Sequence, residues 1–289
     1  MKNIAIVTDT NNVSIEKANE LGIYTISMPF IIDQKEYIEG VTLNSEEFFA
    51  FLEKDADVTT SQPSISEISE LWNKLLLEYD EILHIPMSSS LSGSFETASL
   101  MATYEEFDGK VFVVDNKRIS VQQIHAVTDA QKLMEEGLSA KEIKSYLEET
   151  SKESSVYITL DTLKYLKKGG RITPAAAAIG TLLRIKPVLQ IQSEKLDEFS
   201  KARTLKQAIS IMIKAINNDI HTKFPDVPKE QLCVDIAYTR GQDMVEQLHE
   251  IVKEEFVGYS DINIVELPLS ISTHIGPGAL ALALTKRMK

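Results

Sequence analysis

EILHIPMSSSLSGSFETASL, residues 81–100, is the stretch whose reading decides the fold. Ile82, Leu83 and Ile85 make an apolar run of strand length that breaks at Pro86. Phe95, Ala98, Leu100 and Met101 then recur as they would on the first turns of a helix. Between the two lies Ser88-Ser89-Ser90-Leu91-Ser92-Gly93-Ser94. Strand, hydroxyl-and-glycine loop, helix is the order that makes an anion site. The first helical turn leaves backbone N–H groups without partners, the helix dipole adds partial positive charge, and glycine lets the backbone approach a ligand. Five serines within these seven residues add neutral donors. A serine-rich turn with one N-cap would leave the same trace, so the choice between the two rests on the rest of the chain.

Working outward, the first half alternates strand and helix. Ile4 to Val7 reads as a buried strand, followed by Thr8-Asp9-Thr10-Asn11-Asn12 and a helix from near Ser14. Asp9 stands at the carboxyl end of that strand, where α/β folds place ligands, although a turn aspartate bonding its own backbone fits equally. Ile23 to Ile32 is a second strand region in which Pro29 signals an edge or a break; a polar hairpin and an acidic helix from about Asn44 to Lys54 follow. Thr59-Thr60-Ser61-Gln62-Pro63-Ser64 is a second hydroxyl cluster before a helix. Ser64 and Glu67 form a capping box, which leaves Thr60, Ser61 and Gln62 to face a ligand. After the central loop, Lys110 to Val114 is a strand, a helix carries Ile124, Val127 and Leu133, and another starts near Ser139 with Glu142 completing its box. This order predicts an α/β fold with a parallel sheet flanked by helices, in a domain over residues 1–153.

Residues 154–289 form the expected second domain. Val156 to Leu160 is a strand, and Asp161-Thr162 precedes a short helix that stops at Lys167-Lys168-Gly169-Gly170. Arg171 lies beyond that stop signal. Thr173-Pro174 opens a helix with Ala175 to Ala178, leading to Leu182-Leu183-Arg184-Ile185-Lys186-Pro187. Strands are expected at Val188 to Gln192 and Glu198 to Ala202 around a charged turn from Ser193, then a long helix from Arg203-Thr204 to about Ile220. Leu232 to Tyr238 is a buried strand, Gln242 to Phe256 a helix, Ile262 to Leu267 the last strand, and an apolar helix runs to Met288. His274 precedes Gly276-Pro277-Gly278; it reads either as a ligand-facing ring or as a structural hydrogen-bonder.

Composition narrows the function classes. The 289 residues suffice for two domains, and 43% hydrophobic with 25% charged content is that of a globular protein. A net charge of −13 argues against nucleic acid or an anionic membrane surface as the main partner. The single Cys233 makes no internal disulfide and reads as core packing in a reducing compartment; with no signal peptide or membrane-length apolar run, a cytoplasmic location is expected. Phosphate-loop, dinucleotide, nucleophile-elbow and H-E-x-x-H motifs are lacking, and the five histidines have no ligand spacing. What remains is a set of hydroxyls with an arginine and a histidine near glycines, which suits recognition of a carboxylate or phosphate.

Thr60-Ser61-Gln62-Pro63-Ser64, Ser89-Ser90-Leu91-Ser92-Gly93-Ser94, Gly170-Arg171-Ile172, Ile185-Lys186-Pro187 and His274-Ile275-Gly276-Pro277-Gly278-Ala279 together resemble, in kind and order, the DegV family of bacterial fatty-acid-binding proteins. The resemblance implies a three-layer N-terminal domain and a two-layer C-terminal domain with a mixed sheet. It implies one long-chain fatty acid in a buried tunnel between them, its carboxylate held by Thr60, Ser61, Ser92 and Ser94, with His274 close by. Arg171 and Arg203 would face the phosphate or the partner. That partner is an ATP-binding fatty acid kinase subunit, to which this non-catalytic chain presents the carboxylate for conversion to acyl phosphate. No cofactor, metal or nucleic acid is implied, and membrane contact is at most transient. The family's first loop usually has Asp-Ser/Thr, a small residue, then Asp-Leu, whereas Asp9-Thr10 is followed here by Asn11-Asn12-Val13, which leaves that loop's role open. Two other readings are a stand-alone enzyme with His274 as base and Ser94 as nucleophile, and a regulator that senses acyl chains.

Overall fold

Residues 2–179, 185–191, 195–260 and 262–288 are described in the computed structural model of the chain. They divide into two compact units, Met1–Ser151 with Pro268–Ser270, and Lys152–Leu267 with Ile271–Lys289.

In the first unit the order is β1 (Ile4–Asp9), α1 (Ile15–Leu21), β2 (Tyr24–Ile26), β3 (Phe30–Ile32), β4 (Lys35–Tyr37), α2 (Ser45–Glu53), β5 (Val58–Thr60), α3 (Ile65–Leu75), β6 (Glu81–Ile85), α4 (Ser94–Met101), β7 (Val111–Val113), α5 (Val121–Glu135) and α6 (Ala140–Glu149). Every residue of β1 and β6 is buried, as a parallel sheet covered on both faces requires. The sheet runs β2-β1-β6-β7, all parallel. On one face Ala5, Val7 and Ile82 pack with Ile68, Trp72 and Leu75 of α3 and Ala98 and Met101 of α4. On the other, Gln123 of α5 bonds Thr8, and Lys144 of α6 bonds the Val113 carbonyl, completing three layers. Of the edge or break expected at Pro29, the chain has the break, between two sheets: β2 joins the main one, and β3 turns through Asp33 and Gln34, both left-handed, into β4. β5, a strand too short to leave a periodic signal of its own, pairs with β3. Asn44, Ser64 and Ser139 each close a capping box.

The second unit contains β8 (Ser154–Thr159), α7 (Lys164–Gly169), α8 (Pro174–Ile179), β9 (Lys186–Ile191), β10 (Asp197–Ala202), α9 (Leu205–Lys223), β11 (Leu232–Tyr238), α10 (Gln242–Glu255), β12 (Ile264–Glu266), α11 (Leu269–Ile275) and β13 (Leu280–Lys286). The first two residues of α11 group with the first unit. The expected Leu182-Leu183-Arg184 segment and the Gln192-Ser193 end of strand and turn lie outside the described residues. The mixed sheet runs β10-β9-β8-β13-β11-β12, antiparallel except for the β11–β12 pair. Leu280, Leu282 and Leu284 pack in one core with Ile209, Met212 and Ile216 of α9 and Leu248 and Val252 of α10.

The C-terminal expectation is corrected here. Residues 280–286 form a strand, not a helix, and the helix of this region precedes the Gly-Pro-Gly turn. Leu-Ala-Leu-Ala-Leu alternates with period two, and this strand pairs on both sides, with β8 and β11. A helix would have spread its three leucines around too much of its circumference to bury them against one core. Ile264–Glu266 is accordingly a short strand but not the last one.

Candidate functional site

In the first unit's sheet the chain leaves β1 toward β2 on one side, while β6 is followed by β7 on the other. The loops after β1 and β6 therefore diverge at the carboxyl ends of their strands, the place where open α/β sheets admit ligands. The β6 loop is the serine-rich one.

Its five serines have different occupations. The Ser88 and Ser90 hydroxyls are 2.9 Å apart and bond each other. The Ser89 hydroxyl donates to Asp115 Oδ2 at 2.9 Å and accepts from Lys117 Nζ at 2.6 Å. Ser92 and Ser94 form the second hydroxyl pair, at 2.8 Å, and the Ser94 backbone N–H donates to Ser92 Oγ at 3.2 Å. A bond between two hydroxyls uses one of their two hydrogens and leaves the other to donate elsewhere. Gly93 occupies the N-cap of α4 without a side-chain cap bond. A simple capped turn therefore does not describe this loop.

The second hydroxyl segment meets this loop through Gln62. Its Nε2 donates to Thr97 Oγ1 of α4 at 2.8 Å, and a Cβ on Gly93 would lie 2.5 Å from Gln62 Oε1. Gln62 is thus occupied, contrary to the expectation that it faces a ligand; it clips the segment carrying Thr60 and Ser61 to the one carrying Ser92 and Ser94. Ser61 is exposed, with its N–H donating to the Pro29 carbonyl at 3.0 Å and its hydroxyl to the Gln62 carbonyl at 3.0 Å. Thr60 ends β5 half-buried. Gly93→Ala is expected to push Gln62 off Thr97 and cost about 1 kcal/mol, the worth of one hydrogen bond. In a Gln62→Ala background the same substitution should be nearly neutral, a non-additivity that urea denaturation of the four proteins measures.

In the second unit the motifs Gly170-Arg171, Lys186-Pro187 and His274-to-Gly278 come together. His274 lies in the last turn of α11. Its ring packs directly on the Gly169 backbone, where a Cβ would collide with Nδ1. Arg171 reaches back to donate to the Gly169 carbonyl. Burial, and secondarily the Arg171 charge, push the His274 pKa down to about 4. At neutral pH the ring is therefore an uncharged imidazole, one nitrogen a donor and the other an acceptor. Lys186 Nζ pairs with Asp161, and the same carboxyl would lie 2.5 Å from a Cβ on Gly278. Tyr165 packs as closely on Gly276. Thr239 fixes the turn, donating to the Gly276 carbonyl at 2.7 Å and accepting from the Ala279 N–H at 3.0 Å. Arg203 is exposed, one residue past Ala202, which pairs with Lys186. No sequence signal singles out Asp161, Tyr165 and Thr239, because their roles depend on glycines distant in the chain.

Among the described residues, no three His, Cys, Asp or Glu side chains group as metal ligands, and no helix is long and apolar enough to cross a membrane. Comparison with known proteins then gives one answer over the whole length. The model of the DegV family matches residues 3–287. A DegV domain-containing protein of Staphylococcus aureus is 32% identical over 287 residues, covering 99% of both chains. Among solved structures, a fatty-acid-binding DegV family protein from Thermus thermophilus superposes with a TM-score of 0.88 at 28% identity, over 98% of this chain and 99% of that one. DegV of Bacillus subtilis, a fatty acid binding protein, gives 0.84 at 27% identity over 99% and 100%.

Proposed function

Since the chain belongs to the DegV family, we propose that it binds a long-chain fatty acid and presents the carboxylate to a separate ATP-binding kinase subunit, which phosphorylates it to an acyl phosphate. The observation that carries the reading is the joining of the two hydroxyl segments, Thr60-Ser61 and Ser92-Ser94, by the Gln62 clip beside Gly93. Hydroxyls suit the task. Each buried methylene of an acyl chain contributes about 0.8 kcal/mol, so the tail supplies most of the affinity. The head then needs orientation only, and neutral donors leave a carboxylate oxygen nucleophilic where a buried guanidinium or ammonium clamp would hold it tightly. His274 as a neutral imidazole adds a donor of the same kind. Arg171, Lys186 and Arg203 are assigned to the incoming phosphate and the acidic or phosphate-bearing surface of the partner. Nucleotide and metal are supplied by that partner; this chain acts without catalysis of its own, in the cytoplasm.

The test is mass spectrometry of an organic extract of the purified protein, beside Ser61→Ala and Ser94→Ala. A near-stoichiometric fatty acid is expected in the wild type. Loss of one charge-assisted hydrogen bond is worth about 1.5–3 kcal/mol, so Ser94→Ala should weaken retention about ten- to a hundredfold. A folded wild-type protein that takes up no fatty acid, even when it is supplied, overturns the reading.

A further inference from the structure

The end of β1 and the loop after it do not belong to the hydroxyl set, yet with His84 of β6 and Gln123 of α5 they form a cluster of deeply buried polar side chains in the first unit. Thr8, Asp9, Asn11 and Gln123 are 0% exposed, Asn12 is 2% and His84 is 1%. Burial of so many polar groups is costly and calls for a specific return. Their bonds converge on the root of the serine loop. Asp9 Oδ2 accepts the Met87 N–H at 2.8 Å and the Asn11 side-chain amide at 3.1 Å. Thr8 Oγ1 donates to the Ile85 carbonyl at 2.8 Å, and Gln123 Nε2 donates to that carbonyl at 2.9 Å and to Thr8 Oγ1 at 3.1 Å. Asn12 Nδ2 donates to Thr8 Oγ1 at 3.0 Å.

Alternation explains how adjacent residues do both jobs. Thr8 points to the α5 face of the sheet and Asp9 to the α3 face, where Asp9 Oδ1 lies 3.8 Å from His84 Nε2 and the His84 ring meets Trp72 edge-on. Pro86 has no N–H to pair, and the backbone groups on either side of it, Ile85 O and Met87 N, are each held by a β1 side chain. From Met87 the chain is short and tied. The Ser88 N–H donates to the Arg118 carbonyl at 2.9 Å, and the Leu91 N–H and Ser92 N–H both return to the Ser88 carbonyl, at 3.0 and 3.3 Å. A displacement at Met87 has no slack in which to dissipate before Ser92.

We propose that Thr8 and Asp9 are positioning residues, which fix the Ser92–Ser94 hydroxyl pair by clamping the Ile85–Met87 corner. The proposal rests on the fatty-acid reading for its functional consequence but not for its structural one. It gives the first loop a role that does not require the family's usual second acid, whose place Asn12 takes in this chain.

The test compares delipidated wild type, Asp9→Ala and Asp9→Asn in palmitate titration and in hydrogen exchange of residues 86–94. Asp9→Ala is expected to bind palmitate at least about tenfold more weakly. Exchange across 86–94 should rise while the strands 232–238 and 280–286 keep their protection. Asp9→Asn, whose amide oxygen still accepts the Met87 N–H, should recover most of both. Wild-type affinity and wild-type protection of 86–94 in Asp9→Ala would overturn the proposal, as would general loosening of both units with no recovery in Asp9→Asn. If Asp9→Ala does not fold, the isosteric Thr8→Val, which removes the Thr8 bond to the Ile85 carbonyl and the hydroxyl that Gln123 and Asn12 donate to, takes its place with the same expectations. If the wild type itself takes no palmitate, the fatty-acid reading fails and the exchange experiment alone decides the clamp.

Discussion

Gly276→Ala will lower stability on the order of 3 kcal/mol and release the Tyr165 ring. Two independent costs add. The residue has φ +74°, a left-handed conformation that costs an L-residue roughly 1–2 kcal/mol. In addition, the new methyl would stand well inside the contact distance of Tyr165 Cδ2 and Cε2, and a ring cannot yield as a flexible chain end does. Overpacking of this kind costs roughly 1–3 kcal/mol. Gly22→Ala is the control, since its φ of +65° is similar and nothing lies within 4 Å of the added carbon. It should lose only the backbone part, roughly 1–2 kcal/mol. Tyr165→Ala combined with Gly276→Ala should recover the packing part, and chemical denaturation of the set reads all of these differences. If Gly276→Ala matches Gly22→Ala, the close packing of Tyr165 on the turn is wrong.

The second large effect is a pH dependence. Folded His274 has its pKa lowered from 6.5 to about 4, first by burial and then by Arg171. The unfolded chain therefore binds this proton at a higher pH than the folded one. The stabilisation is fully present above pH 6.5 and is lost as pH falls toward about 4. A tenfold difference in proton affinity between the folded and unfolded chain is worth about 1.4 kcal/mol, so the loss over that window is up to about 3 kcal/mol. His274→Gln, which cannot take the proton, should show a flatter profile between pH 6.5 and 4, with the two curves converging at the acid end. Carboxylates titrate in both proteins and cancel in the difference. Parallel curves would mean that the ring is solvated in the folded state. Fatty acid binding should follow the same window if the neutral ring donates to the head group.

Much of this is legible in the residues. The strand-loop-helix at 81–101, the capping boxes at Ser64 and Ser139 and the alternation of elements in the first half are readable because each is a local signal. Apolar runs bounded by Pro or Gly, and Ser three residues before Glu, do not depend on distant partners. The hydroxyl segments are legible as candidates, but not their division of labour. Only the folded chain shows that Ser88, Ser89 and Ser90 serve the loop itself while Ser92 and Ser94 pair at the helix start. The same holds for Gln62, whose side chain is committed to Thr97, a residue 35 positions away. The misread C-terminal element, residues 280–286, carries its signal plainly in alternating leucine and alanine. Alanine is a strong helix former, and propensity there points away from the period; pairing with β8 and β11 decides for the period. Asp9 is recognisable by its place at a strand end, while its partner Met87 lies 78 residues on and offers only a backbone N–H, which sequence cannot single out.

The position of β13 has a consequence for synthesis. β8 and β11 are joined only through this strand. As the chain emerges from the ribosome, the second unit therefore holds two separate fragments, β10-β9-β8 and β11-β12, each with an unpaired edge, until residues 280–286 appear. The first unit's sheet has all four strands by Val113 and can close early. Nascent chains stalled before residue 280 should then carry a protease-resistant first half and a sensitive second half that recruits chaperones, whereas release of the final strand lets the second unit fold in one cooperative step.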